Sequence, residues 1–365
     1  MKRRVEMFTD AGADVALVGF VRDRRFVPEF SSATVLAQTH NARFLHRMLT
    51  VLAQSMKLLV RRDTVFEADM IIARNLEMLV LARVVQMRAG RQIPLIYECL
   101  DVHRLMLGTG LAPRLLRALE RRLSRSCAGL ITSSSAYVNS YFQTIAKITL
   151  PVILIENKVF GVPTTTRCQP PAEAPPWIIA WNGAIRCAKS LRILDELTSS
   201  ANGSIRVVIR GRVSHDQIPD FDEIVGRSAW IAYKGPYQYP EGLDEIYDGV
   251  HFSWTIDFFL EGQNSALALA NRIYESGRAG VVPIAQRTVE TGRYYDALGI
   301  GIVLNDVSPE RIHAALKDLT AADYIVLRDR CKALPPQTWT ITRDESRRVL
   351  AQLLTATGLT DKLLG

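Results

Sequence analysis

The sequence lacks the signatures of several protein classes. Its 365 residues include only five cysteines, and no two of these form a Cys-x-x-Cys pair. An odd number of scattered cysteines argues against a disulfide framework or a zinc site and indicates reduced thiols in a cytoplasmic protein. The five are Cys99, Cys127, Cys168, Cys187 and Cys331.

Long apolar runs are lacking as well. The longest uncharged candidate for a membrane span, Ser126–Ala146, is rich in Ser, Thr, Asn and Tyr, so no transmembrane helix is predicted. No apolar core follows the charges of Met1–Glu6, and no signal peptide is predicted. With 48% hydrophobic and 22% charged residues the composition is that of a globular protein, and the length predicts two domains.

The excess positive charge lies entirely in the first half of the chain. Residues 1–156 carry 22 Lys and Arg against 13 Asp and Glu, whereas residues 157–365 carry 23 against 24. A basic domain joined to a neutral one indicates an anionic partner for the first half. The candidates are a membrane surface, a nucleic acid or a phosphorylated acceptor.

Two predicted helices of the first half, Asn41–Arg62 and Pro113–Ser126, each place their basic residues on one face. Such a face is either the solvated outer side of a helix on an α/β sheet or a docking surface for anionic lipid. Nucleic acid is disfavoured because no recognition-helix, zinc-finger or RNA-binding motif is present. The basic residues are Arg43, Arg47, Lys57 and Arg61, and Arg114, Arg117, Arg121 and Arg125.

Short apolar runs alternate with helical periodicity through both halves of the chain, which is typical of parallel sheets built from βαβ units. We therefore predict an α/β protein of two Rossmann-like, doubly wound domains facing a cleft. Residues 1–160 form the first domain, 161–177 a proline-rich linker, 178–335 the second domain and 336–365 a C-terminal helix packing on the first domain. Lys2–Ala11 already reads as a helix, so the opening strand of the first domain is expected to be missing.

The predicted strands of the two domains are Val15–Phe20, Ala68–Ala73, Pro94–Leu100, Leu130–Ser133 and Val152–Ile155, then Trp177–Trp181, Ile205–Ile209, Trp230–Tyr233, His251–Thr255, Val281–Ala285 and Ile300–Leu304.

Ligands of open α/β sheets bind at the carboxyl ends of the strands. After the strand Trp177–Trp181, the expected turn Asn182-Gly183 leads to Arg186 and Lys189 at a helix N-terminus. Two cations beside the N–H groups of a helix suit a diphosphate, and Arg210 at the end of the next strand would add to them. The alternative is a solvated loop.

A second candidate lies on the predicted helix Asn264–Ala279. Glu275 has apolar neighbours there and precedes Gly277 and Gly280. A carboxylate in that place could bind the ribose hydroxyls of a nucleotide, and the alternative is a surface glutamate paired with Arg272. Glu290-Thr291-Gly292 is read as a polar turn on the same sheet edge.

In the first half, Asp101 and His103 follow the strand Pro94–Leu100. A carboxylate and an imidazole at a strand end could contact a sugar of the acceptor or donor. The alternative is a structural turn capped by Asp101. His40 and Asn75 lie at similar strand ends with weaker signals. The sequence contains no P-loop, nucleophile elbow, zinc-protease or DxD motif.

Five segments together resemble glycosyltransferase family 4, of the two-Rossmann-domain GT-B architecture, and within it the bacterial exopolysaccharide enzymes of the succinoglycan-biosynthesis type. The most specific of them is Asn264–Glu275, and the likeness extends over most of the chain. The other four are Tyr97–Arg104, Ser133–Val138, Trp181–Lys189 and Lys234–Tyr237.

The resemblance implies a nucleotide-sugar donor held by the second domain through Gly183, Arg186, Lys189, Arg210, Asn271, Arg272 and Glu275. By this analogy Glu275 binds the ribose and Lys189, with Arg186, the diphosphate, while Asp101 or His103 lies near the transferred sugar. No metal or other cofactor is implied, because cationic side chains and helix dipoles stabilise the leaving diphosphate.

The chain departs from the family pattern in two places. The family's first glutamate, eight residues before the second, is Leu267 here, and Glu261 further upstream is the available substitute. The missing opening strand would also remove the family's glycine-rich turn.

The sequence thus predicts a cytoplasmic transferase, peripheral on the inner membrane, that moves a hexose from a nucleotide diphosphate sugar to a lipid-linked glycan. Its basic first domain would dock on anionic lipid, and no nucleic acid is expected as a partner. The alternatives are a non-catalytic subunit that binds nucleotide sugars and, less favoured, a nucleotide-sugar epimerase.

Overall fold

The computed structural model describes residues 2–21, 33–38, 67–163, 166 and 168–363. The chain divides into two compact units, Met1–Glu156 with Thr342–Gly365, and Asn157–Ile341. Segment 161–177, predicted as a linker, thus belongs to the second unit. The predicted helix Asn41–Arg62 and His40 lie outside the described residues.

The first unit contains two parallel sheets. One pairs β1 (Leu17–Val21) with β2 (Ala33–Gln38), and the other has the order β3-β4-β5-β6. Its strands are β3 (Ile71–Arg74), β4 (Leu95–Glu98), β5 (Gly129–Thr132) and β6 (Val152–Leu154). The helices described in this unit are Lys2–Asp10, Asn75–Ala89, Arg104–Leu107, Leu111–Ser124, the π-helix Tyr137–Ala146, Arg343–Thr357 and the short 3₁₀ turn Thr360–Leu363.

The second unit is built on one six-stranded parallel sheet with the order β12-β11-β10-β7-β8-β9. Numbered from β7 as the first strand, this is the 3-2-1-4-5-6 order of a Rossmann fold, in which the direction of winding reverses between the first and fourth strands. The strands are β7 (Trp177–Ile185), β8 (Ile205–Val213), β9 (Ile231–Tyr233), β10 (Phe252–Trp254), β11 (Val282–Gln286) and β12 (Ile302–Leu304).

Helices connect these strands and cover the sheet. Two of them, Glu290–Leu298 and Ala321–Ala333, were not predicted, and the first replaces the polar turn expected at Glu290-Thr291-Gly292. The described helices are Ala188–Ser200, Phe221–Arg227, Leu243–Tyr247, Asn264–Leu267, Asn271–Arg278, Glu290–Leu298, Pro309–Lys317, Ala321–Ala333 and the 3₁₀ turn Pro336–Thr338.

The prediction of an α/β fold with parallel sheets is confirmed.

The central strands of the two larger sheets read as apolar runs because both of their faces are buried. β4 is buried at all four positions, and so are the first four positions of β11. None of the described helices is long and apolar enough to cross a lipid bilayer.

The buried ring of Trp339 packs against the helix Asn271–Arg278 of the second unit. A Cβ atom added at Gly277 would overlap that ring, although Gly277 lies inside a helix, where alanine is otherwise preferred. Trp339 also fixes the exit of the chain from this unit, since its carbonyl accepts a hydrogen bond from the Val159 N–H at 2.8 Å. Glycine at 277 is therefore a packing requirement.

We predict that Gly277→Ala destabilises the second unit by about 1–3 kcal/mol, because overpacking outweighs the gain in helix propensity. All five tryptophans lie within 157–341, so urea unfolding followed by tryptophan fluorescence reports on this unit. The matched control is Gly226→Ala in the helix Phe221–Arg227, where a Cβ meets nothing within 4 Å. The control should raise stability by up to about 1 kcal/mol; equal effects of the two changes would refute the packing argument.

A buried carboxylate holds the N-terminal helix of the first unit to its larger sheet. Glu98, the last residue of β4, accepts a hydrogen bond from Arg4 Nε at 3.1 Å and another from Arg74 Nε at 2.6 Å. Arg4 lies on the helix Lys2–Asp10, and its Nη2 also donates to the Ile155 carbonyl at 3.4 Å. Burial alone would raise the pKa of Glu98, but the two guanidinium groups outweigh burial and hold this pKa below its ordinary value.

We predict that Glu98→Gln lowers the stability of the first unit by about 3 kcal/mol, because it leaves two largely buried arginines without their counter-charge. In urea unfolding, circular dichroism should show an early transition that tryptophan fluorescence does not follow. Glu6→Gln is the control on the same helix as Arg4, since the Glu6–Lys2 pair is exposed at 3.7 Å and contributes little. Coincident early transitions by both probes would contradict the assignment of this effect to the first unit.

The lowered pKa of Glu98 also fixes the sign of a pH dependence. Its stabilisation is fully present above the ordinary glutamate pKa of about 4.3 and is lost as the pH falls through the lower pKa of the folded state. The first unit of the Gln variant should therefore lose less stability on acidification than that of the wild type.

Candidate active site at the second sheet

The carboxyl ends of β7 and β8 lie side by side in the second unit. β7 does not stop at Trp181: Asn182 and Gly183 pair in register with Arg210 and Gly211, so the predicted turn at Asn182-Gly183 is wrong. The reason is packing against the neighbouring strand, because a Cβ at Gly211 would overlap the Gly183 carbonyl, and the glycine pair lets the strands continue. A Cβ atom added at Gly183 itself would have no heavy-atom neighbour within 4 Å.

Arg186 and Lys189 follow β7, as predicted, and lie at the start of the helix Ala188–Ser200. The Lys189 ammonium lies 2.7 and 2.9 Å from the two carboxylate oxygens of Glu261 and 4.2 Å from the centre of the Phe258 ring. The Arg186 guanidinium lies 4.4 Å from the centre of the Phe259 ring. Both cations therefore contact the segment that follows β10.

Other contacts hold that segment against the same helix start. Ser190 Oγ donates to the Ile256 carbonyl at 3.4 Å, and Cys187 Sγ accepts from the backbone N–H groups of Phe258 and Ser190 at 3.3 and 3.4 Å. The ends of β7 and β10 are thus joined where the winding of the sheet reverses, which is the ligand-binding position of this fold.

The predicted helix Asn264–Ala279 is two helices. Ala268 and Ala270 have extended backbone conformations, which separate Asn264–Leu267 from Asn271–Arg278. Of the predicted residues, Asn271 is exposed at the start of the second helix, and Arg272 donates from Nη1 to the Trp254 carbonyl at 3.4 Å. Trp254 is the last residue of β10, so Arg272 reaches the start of the segment that the two cations contact further on.

Glu275 is 4% exposed, one turn beyond Arg272. Burial raises the pKa of Tyr237 and of Tyr247, and the nearby Glu275 carboxylate raises both further, while Arg272 opposes the shift. Glu275 is thus a buried carboxylate near two tyrosines and an arginine, and it does not lie on the helix surface that the alternative required. Sequence reasoning missed Tyr247, which lies on the short helix Leu243–Tyr247 with no recognisable spacing to Glu275.

Arg210 lies on β8 beside Asn182, and its Nη1 is 2.9 Å from Glu245 Oε1. Glu245 belongs to the same short helix as Tyr247. The predicted residues therefore form two groups. Arg186 and Lys189, which follow β7, contact the segment after β10, whereas Arg272 and Glu275 lie near Tyr247. Trp254 and the residues that follow it connect the two groups.

The family's first-glutamate position, Leu267, ends the helix Asn264–Leu267. Glu261, the upstream carboxylate, binds Lys189 instead. The side chains of this pair are 53% and 55% exposed, so solvent and salt screen it and a ligand can displace it.

Asp101 and His103 belong to the first unit, where both are exposed after β4. His103 Nδ1 accepts the Leu105 N–H at 3.3 Å and caps the helix Arg104–Leu107, so the capping residue of this turn is His103. Contact of either side chain with a sugar stays a prediction. Across the described parts of the chain, no three His, Cys, Asp or Glu side chains cluster so as to hold a metal ion.

Comparison with curated proteins identifies a close relative. The succinoglycan biosynthesis protein ExoL of Rhizobium meliloti (strain 1021) is 38% identical over 98% of this chain and 91% of its own length. The chain belongs to the ExoL family. No protein-family model matches the sequence, so the assignment to glycosyltransferase family 4 stays a prediction, whereas the resemblance to succinoglycan-biosynthesis proteins is confirmed.

Solved structures show the fold of this ExoL-family chain. Anabaena Alr3699/HepE, in complex with UDP-glucose, superposes with a TM-score of 0.69 at 14% identity over 97% of this chain and 95% of its own. WaaG, a glycosyltransferase involved in lipopolysaccharide biosynthesis, gives 0.57 at 13% identity over 99% and 93%. The fold is that of the GT-B glycosyltransferases, as predicted.

Proposed function

We propose that this ExoL-family chain is a glycosyltransferase of exopolysaccharide biosynthesis that moves a hexose from a nucleotide diphosphate sugar to a membrane-linked glycan. The observation that carries the proposal is that Lys189 and Arg186 contact the segment after β10, while Arg272, one helical turn from the buried Glu275, bonds the Trp254 carbonyl at the end of that strand. The identity to ExoL and the UDP-glucose in HepE support it.

The chemistry required of the site is stabilisation of a leaving nucleoside diphosphate. Lys189, Arg186 and the N-terminus of the helix Ala188–Ser200 supply positive charge for it, and Arg210 adds to this charge from β8. The Glu275 carboxylate would accept hydrogen bonds from ribose hydroxyls, and Asn271 and Gly183 would line the same site. Asp101 or His103 of the first unit would approach the transferred sugar.

A non-catalytic subunit that binds nucleotide sugars is the second candidate. Two observations favour it: leucine occupies the first-glutamate position, and Lys189 is neutralised by Glu261. Turnover separates the two candidates, because the subunit would bind a nucleotide sugar and form no product with any glycan acceptor.

We predict that Glu275→Gln and Lys189→Ala each reduce transfer from UDP-glucose, the first donor to test, by about 100-fold or more. Each change removes a charged contact to the donor. The contact made by Lys189 is expected to strengthen in the transition state, where negative charge develops on the leaving diphosphate. Glu310→Gln and Lys317→Ala, exposed changes on the helix Pro309–Lys317, are the matched controls and should retain wild-type rates. Wild-type turnover in both site variants would overturn the site assignment.

We also predict that Glu261→Gln strengthens binding of UDP by up to about fivefold, because it removes the carboxylate that competes for Lys189. Isothermal titration calorimetry measures the effect, and a double-mutant cycle assigns it. In a Lys189→Ala background the glutamine change should alter affinity little. Weaker binding by Glu261→Gln alone would show instead that Glu261 contacts the ligand.

A further inference from the structure

The helix Leu111–Ser124 of the first unit carries a row of leucine side chains that are exposed to solvent. Leu111, Leu115 and Leu119 are 74%, 64% and 37% exposed. Their spacing of four residues places them within about 80° on one side of the helix and along about 12 Å of its axis. Large apolar side chains exposed in a contiguous row indicate an interaction surface.

Arginines lie within this row of leucines and along one side of it, and no exposed carboxylate of the helix offsets them. Arg114, Arg122 and Arg125 are exposed, and at 100° per residue Arg122 projects from within the leucine row and the other two beside it. The one acidic residue of the helix, Glu120, is buried and accepts hydrogen bonds from the hydroxyls of Tyr97 at 2.6 Å and Tyr141 at 2.5 Å.

The other arginines of the helix have a different task. Arg117 Nη1 donates to the carbonyls of Met106 and Gly108 at 2.6 and 2.8 Å, and Arg121 Nε donates to the Ala146 carbonyl at 2.8 Å. These bonds and the buried Glu120 fix the helix to its unit. Of the four arginines that the sequence placed on one face, two are anchors and only Arg114 and Arg125 remain exposed.

We propose that the face formed by Leu111, Leu115, Leu119, Arg114, Arg122 and Arg125 docks on an anionic lipid bilayer. Leucines enter the boundary between headgroups and acyl chains, and the arginines pair with lipid phosphates. A second copy of this chain fits less well, because its like-charged arginines would meet in a self-complementary contact. The net positive charge of residues 1–156 acts in the same direction.

This inference rests on the proposed function, because a transferase with a lipid-linked acceptor must work at the bilayer surface. Docking by the first unit would bring the chain to the acceptor, while donor binding is assigned to residues of the second unit.

The test is co-sedimentation of the full chain with phosphatidylcholine vesicles, with and without phosphatidylglycerol. Wild type should bind the anionic vesicles and bind them less at high salt. The variant Leu111→Ser/Leu115→Ser/Leu119→Ser and the variant Arg114→Gln/Arg122→Gln/Arg125→Gln should each bind at least about tenfold more weakly.

Matched controls come from exposed residues elsewhere. Ile325→Ser/Val326→Ser removes two apolar side chains that are about half exposed, and Arg330→Gln/Arg347→Gln/Arg348→Gln removes three exposed charges. The apolar control should bind vesicles as wild type does. The charge control should lose less affinity for anionic vesicles than the variant Arg114→Gln/Arg122→Gln/Arg125→Gln. Wild-type binding by the leucine variant, or equal losses in the controls, would overturn the proposal.

Two further measurements make the result unambiguous. If sedimentation velocity shows a wild-type dimer that the leucine changes dissociate, the face is an interface between copies and the proposal is wrong. Affinity for UDP, measured in every variant, should be unchanged. Absence of UDP binding in all of them, wild type included, would count against the proposed function and not against vesicle docking.

Discussion

The reversal of winding in the second sheet is the constraint on which the candidate site depends. Because β8 and β10 lie on opposite sides of β7, the connections that leave β7 and β10 run over opposite faces of the sheet and open a crevice between their carboxyl ends. In this chain the segment after β10 folds across that crevice, and its Glu261 carboxylate meets the Lys189 ammonium. Lys189 and Arg186, which follow β7, contact this segment, and Arg272 bonds the Trp254 carbonyl from which the segment starts.

The two units use buried charge differently. In the first, the Glu98 carboxylate pairs with the guanidinium groups of Arg4 and Arg74 and holds the helix Lys2–Asp10 to the end of β4, so its role is structural. In the second, the buried Glu275 lies near tyrosines whose pKa values its own charge helps to raise, while the Lys189 side chain stays exposed. An exposed cation suits binding of a charged ligand from water.

The alternation of apolar runs with helical periodicity predicted the parallel sheets because the central strands of the larger sheets are buried on both faces. It placed Arg186 and Lys189 after a strand, and Arg272 and Glu275 on a helix. It failed where distant packing decides. Asn182-Gly183 reads as a turn, but Gly211 of the neighbouring strand lets β7 continue. Alanines 268 and 270 favour a continuous helix, yet the chain is extended there, and the pairing of Lys189 with Glu261 joins residues 72 positions apart. No local pattern encodes such contacts.

Hydrogen exchange of the full chain with and without UDP-glucose tests the central claim most directly, because it maps where the ligand acts without assuming a mechanism. The account predicts slower exchange in peptides covering the end of β7 and the start of the next helix, 182–191, the segment 254–263 and the helix 271–278. Unchanged exchange in these three regions at saturating UDP-glucose, with protection elsewhere in the chain, would contradict it.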